Sequence, residues 1–270
     1  MIVATCAVLG FLGQAAPFTD DAGFVHIPSG KYKVGKKTYL DNPYRTVKLK
    51  AFDIAAKDVT NSDFAAFAKA TNYVTDGERL HNGMVFEAPL QEFRWMQDKT
   101  ATWHFPNGIT RGGIEERQDH PVTAISYADA EAFCKWAGVR LPTLDEWKVA
   151  SRAGTTTTYF WGEDPAQIGE YANVWHGRDH LKPDTSDGYQ YTSPVGKFKP
   201  NPWGLYDIYG NVFQFCSGRL PSDRSSRTVH ARGGSWWCSK NACRFYNSAD
   251  IGRIDRHAVF SNLGFRVVRK

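Results

Sequence analysis

Arg232-Gly-Gly-Ser-Trp-Trp-Cys238-Ser-Lys-Asn-Ala-Cys243-Arg-Phe-Tyr246, followed by Ser261-Asn-Leu-Gly-Phe-Arg266, is the stretch on which the reading of this chain turns. Four residues separate Cys238 from Cys243, just after a Gly-Gly-Ser turn and two tryptophans. That spacing suits zinc poorly, because zinc knuckles need a second pair of Cys or His ligands and none stands at a suitable distance. Two thiolates alone suit Cu(I), a soft ion that accepts two sulfurs and leaves room for a third ligand or for dioxygen. A disulfide, or two buried inert thiols, is the alternative reading of the same pair.

Outward from this stretch, the composition describes a globular chain. Of 270 residues, 42% are hydrophobic and 14% aromatic, enough to bury a core, and no Ser/Gly/Pro-rich linker or charge block divides the chain. The 24 Gly and 13 Pro point to many turns rather than long helices. The net charge of +5 is spread over mixed acids and bases without a Lys/Arg cluster among aromatics, so no nucleic-acid partner is expected. Five cysteines, Cys6, Cys134, Cys216, Cys238 and Cys243, are too few and too unevenly placed for a disulfide scaffold. Residues 1–16 form an apolar leader, with Gly13 and Ala15 placed like a signal-peptidase site but no basic n-region, and too short for a membrane span. Export to a periplasm or outside the cell is the expectation, a cytoplasmic protein the alternative.

Phe24 to Val34 alternates around a Pro-Ser-Gly turn and reads as two short strands, and Val47 to Ile54 as another. Asn61 begins a helix capped by Thr60 or Asn61, with Phe64, Phe67 and Ala68 on one face, ending near Thr71 and Asn72. Residues 77–119 are the least regular part, an aromatic loop with Trp95 and Trp103 that either shapes a peptide groove or packs against the sheet, and His81, His104 and His120 form no recognisable ligand triad. Asp119 to Ser126 reads as a strand leading into a helix over Tyr127–Ala137, stopped by Gly138. Arg140-Leu-Pro-Thr143 then caps a helix over Leu144–Ala153, with Glu146 completing a capping box and Trp147 an apolar anchor. Amphipathic helices followed by short, turn-rich β segments give an α+β domain.

Three runs carry a resemblance. They are the Gly-Gly-Ser turn with its cysteine pair and Ser-Asn-Leu-Gly-Phe-Arg; Arg140-Leu-Pro-Thr-x-x-Glu-Trp147; and Gly204-Leu-Tyr-Asp207-Ile-Tyr-Gly210-Asn-Val-Phe-Gln-Phe215. Together they resemble the formylglycine-generating enzyme family, the sulfatase-modifying factors, with the likeness running from about residue 24 to the end. The resemblance implies a single domain, residues 24–270, of C-type-lectin-like type with little regular secondary structure.

The resemblance also implies the chemistry. Cys238 and Cys243 would hold Cu(I), and a substrate polypeptide would present a cysteine, within a sulfatase-type C-x-P-x-R motif, for oxidation by dioxygen through a thioaldehyde to formylglycine. Ser235 and Asn262 match active-site positions. Trp236, Trp237, Phe213 and Ile251 fall where the substrate peptide would lie. Ile251 stands at an arginine position and Phe213 at a tryptophan position, so the standard peptide is expected to be a poor substrate.

Structural calcium is implied at Asn173, Val174, Asp187 and Tyr189. A second ion is implied at Asp207, Gly210, Val212 and Gln214, where Gln214 replaces the usual glutamate and foretells weak or absent binding. The family's two further disulfides fall here on Cys134 with Val267 and on Ser151 with Ser248, so neither can form. A monomer without a membrane span is expected. A non-catalytic lectin-like binding paralogue, or a different oxygen-dependent oxidase of the superfamily, are the alternatives.

Overall fold

The computed structural model describes residues 23–35, 43–87, 94–239, 243 and 246–270. The apolar leader and Cys6 lie outside the described residues. Among the described residues the longest helices have 11 residues and the longest strands 5, so short elements and loops build this α+β chain.

Local signals in the sequence place the helices. Asn61–Thr71 starts at Thr60, whose hydroxyl accepts from Asp63 N while the Asp63 side chain accepts from Thr60 N, and it stops where Asn72 turns left-handed. Tyr127–Ala137 repeats the device with Ser126 and Asp129 and ends on Gly138, and Leu144–Arg152 repeats it with Thr143 and Glu146. Each cap satisfies backbone donors that a helix start leaves bare, a contribution of about 1 kcal/mol. A fourth box, Thr75 with Glu78, opens the short helix Asp76–Leu80 inside the stretch expected to be irregular.

The expected strands Phe24–Ile27 and Gly30–Val34 form, but not as a hairpin with each other. The first pairs with Phe52–Ala55 and the second with Arg45–Leu49, so the single strand expected over Val47–Ile54 is two strands broken at Lys50 and Ala51. Val268–Arg269 joins Phe52–Ala55 on its other side, which brings the two ends of the domain into one four-stranded sheet. The strand expected over Asp119–Ser126 does not form. Pro121 has no backbone donor and Ala124 sits at φ 53°, so the segment is buried as irregular chain with one bridge from Pro121 to Thr60.

A second sheet positions the site. Its order is Gly252–Asp255, Thr228–Arg232, Phe213–Cys216 and Leu263–Gly264, the last pair parallel and the rest antiparallel. The helices press Phe64, Phe67 and Phe133 into one core with Phe215 and Phe265, and Trp147 anchors the other large cluster. A third, purely aromatic cluster of Phe86, Trp175, Trp236 and Trp237 has Cys243 packed against it, while Cys238 belongs to the cluster around Trp147. Cys134 and Val267 both lie in the first of these cores, where burial pushes the Cys134 thiol up to about 12.

Candidate active site

Two glycines make the turn that carries the cysteines. Gly233 and Gly234 have φ of 95° and 73°, and a Cβ on Gly233 would lie 2.8 Å from the Ile208 carbonyl, so only glycine fits there. The turn is then tied down on both sides. Gly210 N donates to Gly233 O, Trp236 N to Asn211 O, and Trp175 N to Cys238 O, at 2.8 to 2.9 Å. Cys238 is fully buried behind this turn. The structure brings the two sulfurs together, as a Cys238–Cys243 disulfide rather than the pair of free thiolates expected for Cu(I).

Cys243 faces a cavity of about 210 Å³ lined by Trp95, Phe213, Trp237, Ile254, Phe260 and Leu263. Asn262 supplies the polar side chain of that lining. Its Nδ2 donates to Ser235 Oγ at 2.9 Å, and Trp237 N approaches the same oxygen at 3.4 Å. With two donors on its oxygen, the Ser235 hydroxyl keeps its own proton to donate. Ser235 is fully buried and Asn262 nearly so, which makes this a preorganised pair.

The four residues expected to hold substrate separate. Trp237 and Phe213 line the cavity. Trp236 lies behind it, packed on Trp95, Phe86 and Tyr191 with 1% exposure. Ile251, half-buried, packs against the core around Trp147, one residue before Gly252 in the cavity lining. Trp95 lines the cavity, one of the two roles the sequence left open for its loop, whereas Ile254, Phe260 and Leu263 were missed from the sequence. They arrive from three separate segments, and nothing local marks an apolar residue as facing a cavity.

The first calcium set sits on one loop, residues 173–191, closed by Asn173 Nδ2 donating to Tyr191 O at 2.8 Å. Asp187 Oδ1 accepts from Tyr189 N at 2.9 Å, while Oδ2 is buried without a hydrogen-bond partner, 3.2 Å from His176 Nε2. The nearby carboxylate raises the His176 pKa. A buried carboxylate oxygen with spare capacity suits a cation. Among the described residues no group of three or more His, Cys, Asp and Glu gathers, so an ion here would depend on amide and carbonyl oxygens.

In the second set Gln214 is already fully engaged, while Asp207 Oδ1 is buried without a hydrogen-bond partner. Gln214 Oε1 accepts from Trp147 Nε1 and from Arg266 Nε, both at 2.7 Å, which fills both lone pairs, and Nε2 donates to Asp207 O at 2.7 Å. Asp207 Oδ2 accepts from Gly196 N at 2.6 Å. The cation of this region is Arg266 itself, fully buried and 3.2 Å from Asp58. Gln214 therefore links the Arg266 guanidinium to the Trp147 indole and to the Asp207 carbonyl.

Comparison with known proteins follows this geometry. A family model described as the sulfatase-modifying factor enzyme 1-like domain matches residues 13–270. The chain belongs to the formylglycine-generating enzyme family. It is 34% identical over 289 residues to the formylglycine-generating enzyme of Streptomyces coelicolor, covering 94% of this chain and 91% of that one. It is also 34% identical over 276 residues to the mouse enzyme, covering 90% and 73%. A bovine relative named inactive C-alpha-formylglycine-generating enzyme 2 is 32% identical over 266 residues, covering 90% and 86%. Among solved structures, PvdO from Pseudomonas aeruginosa shares the fold, with a TM-score of 0.67 at 22% identity and coverage of 92% and 94%. Among the described residues, no helix is long and apolar enough to cross a membrane.

Proposed function

We propose that this chain is a copper-dependent oxidase that converts a cysteine of a substrate polypeptide to formylglycine with dioxygen. The observation that carries the reading is the cysteine pair at the wall of an apolar cavity whose polar lining side chain, Asn262, is bonded to Ser235. Disulfide sulfurs are not ligands for Cu(I), so the working form is the reduced pair, with Cys238 buried behind the wall and Cys243 facing the cavity. When bound there, Cu(I) supplies the dioxygen chemistry that side chains lack.

The chain's own residues do the rest. Trp95, Trp237, Phe213 and Phe260 give the cavity an apolar wall. A bare substrate thiolate would be costly in so apolar a space, which favours binding it as a metal ligand over leaving it free. Ser235 has a hydroxyl proton to donate, and Asn262 holds that hydroxyl in place. The expected substrate class is a polypeptide with a C-x-P-x-R-like segment, sulfatases among them. On the loop 173–191, Asn173, Val174, Asp187 and Tyr189 are the residues that would hold structural calcium.

Mass spectrometry tests the reading. The protein, reduced and loaded with Cu(I), is incubated in air with a thiol reductant and a C-x-P-x-R peptide. Conversion of the peptide cysteine to formylglycine is the expected result. Absence of any oxidised product from this peptide and from a library of cysteine peptides, with copper shown to be bound, would favour the non-catalytic reading that the relatives named inactive suggest.

A further inference from the structure

The carbonyls of Trp237 and Cys238, consecutive in the segment that delivers the first cysteine, are both held by the loop 173–191. Trp175 N donates to Cys238 O at 2.9 Å, and the His180 ring nitrogen Nε2 lies 2.7 Å from Trp237 O. A carbonyl only accepts, so Nε2 carries the proton. The ring also backs the cavity wall. It stacks on the Trp237 indole at 4.4 Å and 21°, meets Trp175 at 4.9 Å, and takes the edge of Phe86 at 5.6 Å. Only 1% of His180 is exposed, so this hydrogen bond works in a dry, weakly screening surround. Trp237 is the indole that lines the cavity beside Cys243.

We propose that His180 is a positioning residue of this site, whose Nε2–H fixes the backbone that presents Cys238 and whose ring props the Trp237 wall of the substrate cavity. It reaches the cavity through Trp237, the lining residue on which it stacks. The two functions use different parts of the side chain and are separable. His180→Phe keeps a flat ring and loses the donor. His180→Gln places an amide N–H near the position of Nε2 and loses the ring.

This inference rests on the oxidase reading for its kinetic arm only. The first measurement is the rate at which dithiothreitol reduces the Cys238–Cys243 disulfide, which needs neither copper nor substrate. Losing one buried hydrogen bond corresponds to about 3- to 10-fold in an equilibrium, so His180→Phe should reduce faster by about that factor while His180→Gln stays within about twofold of the wild type. The second is turnover of the target peptide. Here His180→Phe should lower kcat with KM little changed, and His180→Gln should raise KM with kcat little changed.

If His180→Phe does not fold, His180→Asn replaces it, because its shorter amide falls short of the carbonyl. Unchanged reduction rates in the folded donor-loss variants would overturn the positioning role, as would equal losses of kcat and KM in both variants. A wild-type protein that turns over no peptide, with the reduction rates ordered as expected, would remove the oxidase reading and leave His180 as the prop of the cysteine segment.

Discussion

Arg266 Nε donates to Gln214 Oε1 at 2.7 Å, and with that bond a position expected to ligate calcium becomes the acceptor at the centre of a protein network. Trp147 Nε1 shares the same oxygen, and Asp207 O takes the amide hydrogen of Gln214. Calcium titration should therefore give one site per chain at most, with none lost in a Gln214 variant. Gln214→Ala should cost about 3 kcal/mol or more, because it strands a buried guanidinium N–H, an indole N–H and a carbonyl together. Calorimetric stoichiometry and denaturant melts check the two halves separately.

Calcium on the loop 173–191 should stabilise the chain. An ion that binds the native state alone contributes about 3 to 4 kcal/mol at 100 to 1,000 times its dissociation constant. The spare Oδ2 of Asp187 is the group to remove. Asp187→Asn should abolish the calcium-dependent rise in melting temperature, and in chelator should lower the melting temperature only through the lost His176 pair. A melting temperature indifferent to chelator, in a preparation shown to have held calcium, would contradict the assignment.

What the sequence disclosed and what it hid follow from range. The capping boxes at Thr60, Ser126 and Thr143 are contained within four residues each, and all three helices start where those residues say. The box at Thr75 and Glu78 was equally local and passed over because its surroundings are polar and aromatic. The parallel pairing of Leu263 with Phe213 and the left-handed Ala124 depend on contacts far along the chain. Phe213 and Phe215 show the same limit at one step. Both stand at tryptophan positions of the family, yet Phe213 lines the cavity while Phe215 is fully buried against Tyr127. Two residues apart on one strand, they share a face, so they differ by position along the strand, and only the fold says which position meets the cavity.

Cys238 and Cys243 should behave as a unit. A single remaining thiolate leaves Cu(I) without its second sulfur, and groups that act together lose function non-additively. Cys238→Ser and Cys243→Ser should each abolish Cu(I) binding, followed by thiolate absorption in the ultraviolet, and the double variant should be no worse. Substantial copper-dependent turnover by Cys238→Ser would refute the shared role.

Lys148 gives the chain an alkaline signature. Its side chain is 2% exposed beside Asp145, and burial, reinforced by the charge of Arg232, lowers its pKa from 10.5 to about 8. Between those values the unfolded chain holds a proton that the folded chain has released, so stability rises with pH across this window. The protonated form costs at most roughly 3 kcal/mol near neutrality. Asp145 keeps Arg45 as a partner at 2.5 Å when Lys148 is replaced. Lys148→Met should therefore be more stable than the wild type near neutral pH, and the gap should narrow as pH rises through the window. Comparing the two proteins cancels the tyrosines and thiols that titrate above it.

Substrate preference should follow Phe213 rather than Ile251. Both depart from the family pattern, but Phe213 lines the cavity beside Cys243 while Ile251 packs against the core. A larger ring at 213 would intrude on a space of about 210 Å³ and lay an indole along any peptide residue seated there. Changes in packing at one buried contact are worth about 1 to 3 kcal/mol, or roughly 5- to 150-fold in affinity. Phe213→Trp should thus shift KM for the C-x-P-x-R peptide by a factor in that range with a smaller change in kcat. Ile251→Arg should move KM by less than about threefold and lower the melting temperature, since it drives a charge toward the Trp147 core. Steady-state kinetics of the two variants, with melts alongside, decide the matter. A large fall in KM on Ile251→Arg alone would mean that the peptide runs over residue 251 after all, and that the cavity at Phe213 reads something else.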